Sequence, residues 1–404
     1  MSGLILYIDP STGSMLFAVL IGVVSALFFG FKSLMMKVKS TLGVNVNELK
    51  DKNKINYVIF SDHKRYWNVF EPICDEFEKR GVEVHYWTMS NDDPALQKDY
   101  KYVKSLFIGA GNKGFAKLNF MNAHICLSTT PGLEVYQWKR SKDVDKYVHI
   151  FHNPGVNSGG YKLFGLDYYD VVLAVSEEQT LGFKELETKR NINKKEYHVV
   201  GSTYLDAMDE KVKQLPKVHN EIPVVLIATS WGENSMFEKY GFKIIEDLKQ
   251  IGYKIVVRPH PQMWSFDPKL MKRFDDIYSN DKMVEINKDN DNLSVLNRAD
   301  AMVCDFSGII FDYVAVFKKP AAYLITERDL STYDASMLDN QRGVEEALDL
   351  IATEINDNNV DKICDIVKEL VNSGKAKCDN STINRFWECR GKATENIVDY
   401  MVNN

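Results

Sequence analysis

The segment IVVRPHP (255–261) combines residue types that suit phosphoryl chemistry. Arg258 and His260 stand just past an apolar run of strand length, and prolines flank the histidine. The prolines end the strand and restrict the backbone around His260. A cation beside an imidazole suits negative charge that develops on phosphoryl oxygens. The alternative at this level is an exposed loop histidine without a chemical role.

A second histidine, His152, ends the apolar run YVHIFH (147–152), and a turn rich in Gly and Asn follows it. Imidazole has the pKa to take a proton from an alcohol near neutral pH, and glycines allow a substrate to approach the backbone closely. His149 and His152 also raise the alternative of a shared metal. No third ligand stands nearby in the sequence, so the pattern favours proton transfer without a metal.

A candidate phosphate site lies in AMVCDFSGIIFDY (301–313), where a buried strand ends at Asp305 and an apolar helix follows a short turn. Ser307 and Gly308 place a hydroxyl and free backbone amides at the helix start, where the helix dipole also attracts an anion. A diphosphate fits such a turn. The alternative is purely structural, with Ser307 capping the helix and Asp305 fixing the turn.

Two other segments carry weaker signals. YHVVGSTYLD (197–206) is a strand followed by Gly201 and ending at Asp206, which alone indicates only a turn and a helix start. The acidic stretch 289–291 resembles a calcium loop in composition, but it lacks the sixth-position glycine and the final glutamate. Neither segment identifies a ligand by itself.

One glycine motif resembles a dinucleotide-binding fingerprint. Gly109, Gly111 and Gly114 spell GxGxxG between a strand and a helix. A fingerprint also needs an acidic ribose partner at the end of the following strand, and no acidic residue clearly ends HICLST (124–129). We interpret the motif as a tight structural turn, with acceptor binding as the minor alternative.

The elements that must position these residues form two series. Apolar runs of strand length alternate with segments of helical period, which is typical of parallel sheets covered by helices. The alternation breaks at the polar, proline-containing stretch 211–223 and then restarts. The pattern predicts an α/β protein with two doubly wound domains, at 55–215 and 216–380, and a final helical segment at 381–404. Ligands of such sheets bind beyond the carboxyl ends of the strands, where the candidate residues stand.

The amino-terminal region, residues 1–36, is predicted to be a membrane anchor. No charged residue occurs between Asp9 and Lys32, and the densest apolar stretch, 15–31, spans about 25 Å as a helix. Lysines follow the run while only Asp9 precedes it, so the C-terminal side is expected in the cytoplasm. A cleaved signal peptide is the competing interpretation. It needs basic residues before the run and small residues after it, and both features are missing here. A polar linker at 37–54 would join the anchor to the first domain.

Composition excludes several classes of protein. Hydrophobic residues at 45% and aromatic residues at 12% indicate a folded chain, since disordered chains lack the apolar surface that offsets chain entropy. The 50 basic and 56 acidic side chains give a net charge of -6, which provides no general attraction for nucleic acid. The six cysteines include no CxxC pair, which fits a reduced compartment and argues against a structural zinc site.

Taken together and in this order, the motifs resemble those of the CDP-glycerol glycerophosphotransferase family, the membrane-associated polymerases and primases of teichoic-acid-type polymers. The resemblance covers most of residues 120–330 and is firmest over RPHP and ADAMVCDFSGIIFDYVAVFKKPAAYL (299–324). GSTYLD (201–206) is similar to the family's Gly-x-Pro-Arg-x-Asp segment, and LIATSW (226–231) is similar to the strand that opens its second domain.

This resemblance implies a GT-B fold, in which two Rossmann-like domains face a cleft, with the nucleotide on the C-terminal domain and the acceptor approaching from the N-terminal one. It also implies that an acceptor hydroxyl attacks the β-phosphorus of CDP-glycerol and releases CMP. His152 would be the general base and His260 a phosphate-stabilising partner. Asp312 would orient the turn or a ligand hydroxyl. The residues expected to bind the substrate or nucleotide are Arg258, Asp305, Ser307, Gly308, Asp312, Ser230, Thr229, Gly201 and Asp206.

Several aspects of the implied function stay open. The activated polyol is CDP-glycerol, CDP-ribitol or another nucleotide-activated unit. The acceptor is expected to be lipid-linked or a glycan at the cell membrane, with the catalytic domains on the cytoplasmic side and a cell-wall or capsule polymer as the product. No cofactor and no metal are expected. The competing hypotheses are a GT-B glycosyltransferase or epimerase that uses a UDP-sugar, and a non-catalytic scaffold of the same fold.

Overall fold

The computed structural model describes residues 54–155, 160–289, 291–341 and 343–404. The expected anchor at 1–36 lies outside the described residues, as does the expected linker apart from its last residue. Within the described ranges, no helix combines the length and the apolar character that crossing a bilayer requires.

The first sheet has seven parallel strands in the order β3-β2-β1-β4-β5-β6-β7. They are β1 (Ile55–Ser61), β2 (Val84–Thr88), β3 (Val103–Phe107), β4 (Asn122–Ser128), β5 (Asp143–Ile150), β6 (Val171–Ala174) and β7 (Glu196–Val199). The direction of strand addition reverses between β1 and β4. At such a switch point the loops leave to opposite faces of the sheet, which opens a crevice at the carboxyl ends of the two strands.

The second sheet has six parallel strands in the order β10-β9-β8-β11-β12-β13, with its own switch point between β8 and β11. They are β8 (Val224–Ala228), β9 (Lys254–Arg258), β10 (Val284–Ile286), β11 (Ala301–Cys304), β12 (Ala321–Leu324) and β13 (Thr353–Ile355). Two parallel sheets in one α/β chain confirm the fold class predicted from the alternation of strands and helices.

Helices cover the faces of the two sheets. They are α1 (Trp67–Arg80), α2 (Asn112–Leu118), α3 (Glu177–Arg190), α4 (Thr203–Lys213), α5 (Met236–Gln250), α6 (Met263–Phe266), α7 (Pro268–Tyr278), α8 (Leu293–Arg298), α9 (Ile309–Val316), α10 (Gly343–Ile351), α11 (Ile363–Ser373), α12 (Asn380–Asn384) and α13 (Ala393–Asn403).

The sequence pattern explains how the layers pack. β8 and β11 are buried along their whole length, and their residues VVLIA and AMVC are correspondingly apolar on both faces of the sheet. Helix α5 shows the other period, because its buried residues Phe237, Gly241, Ile244 and Leu248 recur every three or four positions and form one apolar stripe. The strands are therefore apolar on both faces of the sheet, whereas the helix presents one apolar stripe to the core.

The last helix, α13, crosses from the second half of the chain to the first. Its residues Ile397, Val398 and Met401 are buried in the same apolar cluster as Phe70 and Phe77 of α1. The C-terminal segment therefore contributes to the core beside the first sheet and links the two halves.

The GxGxxG motif forms the connection between β3 and α2. Gly109 and Gly111 have φ values of +105° and +56°, where residues with a side chain are disfavoured. A Cβ atom at Gly114 would lie only 2.6 Å from the carbonyl oxygen of Gly109. The glycines allow the helix to pack closely on the end of the strand. β3 is an edge strand, separated from the switch point by β2 and β1.

Candidate active site

A cavity of about 340 Å³ lies between the two sheets, at the carboxyl ends of their strands. Loops from both halves line it, so residues far apart in sequence meet there. Of the predicted site residues, the following line this cavity: His152, Thr229, Arg258, His260, Ser307, Gly308 and Asp312. We call this cavity the catalytic cleft.

His152 reaches the catalytic cleft from the turn after β5. Its Nδ1 atom lies 3.1 Å from the hydroxyl of Thr129, which follows β4, and its ring centre lies 5.0 Å from that of Tyr66. Burial and the nearby charge of Arg65 lower the pKa of His152 to about 4. The imidazole is therefore neutral near pH 7. When Nδ1 carries the proton and donates to Thr129, Nε2 keeps a free lone pair.

His260 faces the same cleft from the loop after β9, and its protonation pattern is the opposite. Its Nδ1 atom accepts a hydrogen bond of 3.2 Å from the backbone N–H of Gln262. Burial and the charge of Arg65 lower the pKa of His260 to about 4. In the neutral ring the proton must then reside on Nε2, because Nδ1 is occupied as an acceptor. His260 is thus preset as a hydrogen-bond donor to a ligand oxygen.

Arg258 supplies a fixed positive charge to the cleft. The side chain is only 7% exposed, and its guanidinium donates to the amide oxygens of Asn287 and, at 2.6 Å, Asn292. Burial lowers the pKa of Arg258, while the negative charges of Asp289 and Asp291 act against that shift. Amide oxygens orient the guanidinium without neutralising it, so its charge remains available to a bound anion.

The turn Asp305–Gly308 leads into α9 and forms an elbow at the cleft. The amides of Ile310 and Phe311 donate to the carbonyl oxygens of Ser307 at 3.3 Å and Gly308 at 3.1 Å. Gly308 at the N-cap has no side chain, and Gly308 and Ile309, at the start of α9, line the cleft, where their backbone amides can meet a ligand. A Cβ atom at Gly308 would lie 3.6 Å from the Nδ2 atom of Asn153, so the two halves of the chain approach each other here. This elbow can accept phosphate oxygens.

Asp305 itself is fully buried and does not line the cleft. Its Oδ1 atom accepts from the backbone N–H groups of Ser230 at 2.8 Å and Ser307 at 3.2 Å. Its Oδ2 atom accepts from the Ser230 hydroxyl at 2.7 Å and the Met236 N–H at 3.1 Å. The carboxylate therefore joins the loop after β8 to the elbow after β11, in agreement with the structural alternative considered for this residue.

Asp312, on the first turn of α9, connects the two halves of the chain. Its Oδ2 atom accepts a hydrogen bond of 2.8 Å from the hydroxyl of Tyr204 on α4. Burial raises the pKa of Asp312 to about 7, although the Tyr204 hydrogen bond opposes the shift. Its carboxyl group therefore changes charge near neutral pH and lines the cleft where it can accept from a ligand hydroxyl.

The end of β8 contributes two hydroxyls with different roles. The Oγ1 atom of Thr229 lines the cleft and is buried without a hydrogen-bond partner among the described residues. A ligand oxygen could pair with this hydroxyl, which is costly to leave unpaired. The hydroxyl of Ser230 is held by Asp305, and Ser230 lines a neighbouring cavity instead.

The structure does not bring Gly201 and Asp206 to the cleft. Asp206 accepts from the indole N–H of Trp387 at 3.0 Å and from the backbone N–H of Ala393 at 3.1 Å. Gly201, with φ of +96°, lies so close to the C-terminal segment that a Cβ atom would be 2.9 Å from the carbonyl oxygen of Glu388. Both residues hold the C-terminal crossing segment, which is a long-range contact that the sequence could not reveal.

His149 is separate from the cleft. It is fully buried, and its Nε2 atom lies 2.9 Å from the hydroxyl of Tyr161. Burial and the proximity of His152 lower its pKa well below the usual value. No group of His, Cys, Asp and Glu side chains suited to a metal ion occurs in the part of the chain that the structure describes.

The glycine turn after His152 was expected to allow a substrate to approach the backbone closely, but a protein side chain lies there. A Cβ atom at Gly155 would lie 3.0 Å from the ring of Phe311 on α9. The close approach to the backbone is therefore made by an aromatic side chain of the second half, which fixes the His152 turn against the elbow helix.

Sequence reasoning missed Arg65, the residue that links the two histidines electrostatically. It follows β1, lines the catalytic cleft and lowers the pKa of both His152 and His260. Its guanidinium carbon lies 5.3 Å from the centre of the Tyr66 ring. The signal was present in the sequence, since SDHKRYW (61–67) directly follows the first predicted strand and parallel sheets bind ligands at such ends.

We predict that replacing Asp305 destabilises the second half of the chain. Asp305→Ala leaves buried donors on both loops unpaired, which should lower the free energy of unfolding by roughly 3 to 5 kcal/mol. Ser307→Ala is the matched control, because this neighbouring side chain is partly exposed and its removal should cost less than about 0.5 kcal/mol. Urea denaturation followed by circular dichroism measures both values. Equal midpoints for the two variants would contradict this role of Asp305.

Solved structures with a similar fold include two kinds of enzyme. The wall teichoic acid polymerase TagF aligns with a TM-score of 0.56 and 12% identity over 92% of this chain and 97% of that chain. UDP-GlcNAc 2-epimerase from Methanocaldococcus jannaschii aligns with a TM-score of 0.55 and 16% identity over 86% of this chain and 99% of that chain. The corresponding enzyme from Neisseria meningitidis gives a TM-score of 0.56 and 15% identity over 86% and 99%. At these identities the likeness shows a shared fold.

Sequence comparisons identify the family of the chain, which the shared fold alone does not. A search of curated proteins gives no match. The model of the family described as CDP-Glycerol:Poly(glycerophosphate) glycerophosphotransferase matches residues 41–400. This match confirms the resemblance seen in the RPHP and DFSG segments. The chain therefore belongs to the CDP-glycerol glycerophosphotransferase family and is a transferase.

Proposed function

We propose that this protein transfers a polyol phosphate from a CDP-activated donor to a hydroxyl acceptor and releases CMP. The observation that carries the proposal is the complementary state of the two cleft histidines. His260 is preset to donate a hydrogen bond through Nε2, and Nε2 of His152 can accept a proton in the tautomer whose Nδ1–H donates to Thr129. A reaction that removes a proton from an alcohol and stabilises charge on phosphoryl oxygens needs this combination.

In the proposed reaction, the acceptor oxygen attacks the β-phosphorus of the donor. The bond between the β-phosphorus and the oxygen that bridges to the α-phosphorus breaks, and CMP leaves with that oxygen. The acceptor proton passes to Nε2 of His152, and the product is a phosphodiester that links the polyol to the acceptor. Phosphoryl transfer of this kind depends mainly on positioning and charge stabilisation.

The second half of the chain would hold the diphosphate. The amides at the start of α9, the guanidinium of Arg258 and Nε2–H of His260 all line the same cavity. Each is a donor in a partly buried setting, where one such contact to a developing charge contributes on the order of 3 kcal/mol. Asp312 would accept a hydrogen bond from a hydroxyl of the nucleotide or the polyol.

Donor binding would also adjust the base. In the free protein burial disfavours a charged His152, and the positive charge of Arg65 adds to this effect by repulsion. A bound diphosphate would bring negative charge into the same cavity and offset this repulsion. The pKa of His152 would then rise toward neutrality when the donor is in place, which strengthens the base at the stage when it is needed.

The choice of a CDP-activated donor rests on the family. The family description names CDP-glycerol, and one solved structure of TagF is described as soaked with CDPG. The epimerases with a similar fold act on UDP-GlcNAc, so the fold alone does not choose the nucleotide. Between CDP-glycerol and CDP-ribitol the polyol stays open, and we propose both as donors to be compared.

His152→Ala is predicted to reduce kcat for CMP release by about 100-fold to 10,000-fold, because proton removal by a positioned base contributes a factor of this size. The KM for the CDP-activated donor should change little, since Arg258 and the elbow remain. The control is His219→Ala, an exposed histidine in the stretch between the two sheets. CMP release from CDP-glycerol and from CDP-ribitol, with a lipid-linked acceptor, measures the effect. A His152→Ala variant as active as the control would rule out the general base.

The pH dependence of kcat/KM should show two steps on the acid side. Asp312, with its pKa raised to about 7, is ionised above that pH, so activity should decline as the pH falls through 7 and the carboxylate becomes protonated. The histidines, with pKa values of about 4, stay neutral until much lower pH, so the second decline should appear below pH 5. Asp312→Asn should abolish the upper step and keep the lower one. A single step near pH 6.5 would contradict both assignments.

We further propose that residues 1–36 anchor the protein in the cell membrane, with the two α/β halves in the cytoplasm, for synthesis of a cell-surface polymer. The uncharged stretch from 15 to 31 and the lysines after it support this topology. Removing residues 1–36 should move the protein from the membrane fraction to the soluble fraction while CMP release with a water-soluble acceptor persists. Full-length protein recovered in the soluble fraction would contradict the anchor.

A further inference from the structure

A second cavity adjoins the catalytic cleft on the other side of the elbow. Its volume is about 500 Å³, and Asn153 and Gly308 line both cavities. We call it the side chamber. Most of its remaining wall comes from the second half, from the loop after β8, the elbow with the start of α9, and the segment after β12, while Pro154 and Gly160 of the first half and Val344 of α10 also line it. A group held there would therefore lie next to the phosphate-binding elbow without occupying it.

The side chamber has aromatic walls. Trp231 is 43% exposed, although a tryptophan on a surface loop without a ligand is usually covered. Phe306, Phe311 and Tyr333 also line the chamber. Aromatic faces with polar groups at their edges suit the alternating C–H and hydroxyl surfaces of a sugar or a polyol.

The charges of the chamber differ in sign from those of the catalytic cleft. Glu233, Asp329 and Arg328 are the charged members of its described lining. The guanidinium of Arg328 donates to Glu345 through Nε at 3.1 Å and also lies 5.4 Å from the centre of the Phe306 ring. Because Arg328 is already paired with a carboxylate, Glu233 and Asp329 leave the chamber net negative.

The catalytic cleft has the opposite balance. Arg65 and Arg258 contribute two positive charges, and Asp312 is the acidic side chain in its described lining. Burial raises the pKa of Asp312 to about 7, so even this charge is only partly developed at neutral pH. An anion therefore favours the cleft, whereas a chain with a phosphate on every unit would meet repulsion in the chamber.

We propose that the side chamber binds the neutral, hydroxyl-rich end of the acceptor, a saccharide without phosphate. This inference rests on the proposed phosphotransfer and adds the acceptor class to it. Aromatic rings would pack against the sugar faces, and Glu233 with Asn234 would accept and donate hydrogen bonds to its hydroxyls. The acceptor that fits is a glycan, and an oligomer of glycerol phosphate is disfavoured.

A binding experiment tests the chamber without turnover. The full-length protein is saturated with CDP, which fills the cleft, and then titrated with maltotriose, N-acetylchitotriose or a trimer of glycerol phosphate. Trp231 is more exposed than Trp67, Trp87, Trp138 and Trp387, so the difference in emission between wild type and Trp231→Phe reports on the chamber. At least one neutral trisaccharide should bind at least tenfold more tightly than the phosphate trimer. Tighter binding of the phosphate trimer, or no response to either saccharide, would overturn the proposal.

A specificity experiment tests the charge argument. Glu233→Lys should shift the ratio of kcat/KM for glycerol phosphate acceptors over glycan acceptors by at least tenfold toward the phosphate acceptor, with the KM for CDP-glycerol unchanged. Glu221→Lys, an exposed position between the two sheets, is the control for net charge. Equal shifts in both variants would overturn the assignment. Absence of CMP release with every acceptor would count against the proposed function, and the binding experiment would still decide the chamber.

Discussion

The buried carboxylate of Asp305 is the interaction on which the catalytic edge of the second sheet depends. β8 and β11 are paired neighbours at the point where strand order reverses, so the loops that follow them diverge. The strand pairing itself does not hold these two loops together. Four hydrogen bonds to one carboxylate close this gap. The carboxylate is excluded from water, and its negative charge is satisfied entirely by donors from the two loops, so the elbow has a defined shape before any ligand arrives.

Around this elbow the protein concentrates positive charge and keeps its imidazoles neutral. Burial is the main cause of the low pKa values of His152 and His260, and the charge of Arg65, which also attracts an anion, lowers both pKa values further. The hydrogen bonds of the two rings then assign different roles to chemically identical side chains. The backbone N–H of Gln262 makes the His260 ring a donor, and the Thr129 hydroxyl can accept from Nδ1 of His152 and so leave Nε2 of that ring able to accept a proton. Small differences in local structure can thus make one imidazole a general base and the other a hydrogen-bond donor to phosphoryl oxygens.

Contacts at the catalytic cleft and contacts distant from it both join the two halves of the chain. Tyr204 reaches Asp312 across the cleft, Gly155 lies against Phe311, and α13 extends back to the core beside the first sheet. A shift of one half would alter the distance between His152 and the elbow, and phosphoryl transfer is sensitive to such distances. The glycerophosphotransferase family match spans both halves, in keeping with a site that neither half contains alone.

The sequence by itself determined the two parallel sheets, because hydrophobic period and segment length are local properties that each strand and helix displays separately. It also identified the strand ends at His152, His260 and Ser307, since ligands of parallel sheets bind where polar residues follow apolar runs. Residues 1–53 lie outside the described structure, so the expected anchor remains a prediction.

Only the tertiary structure decided which of these strand ends share a cavity. It separated Asp305, which is turned into the protein, from Ser307 two residues later, and it assigned Gly201 and Asp206 to the crossing C-terminal segment. It also brought the charge of Arg65 into the cleft, where it lowers the pKa of two histidines from different halves of the chain. The physical reason is that hydrogen bonding, burial and charge interactions act between residues that are distant in sequence, and a one-dimensional pattern does not contain those distances.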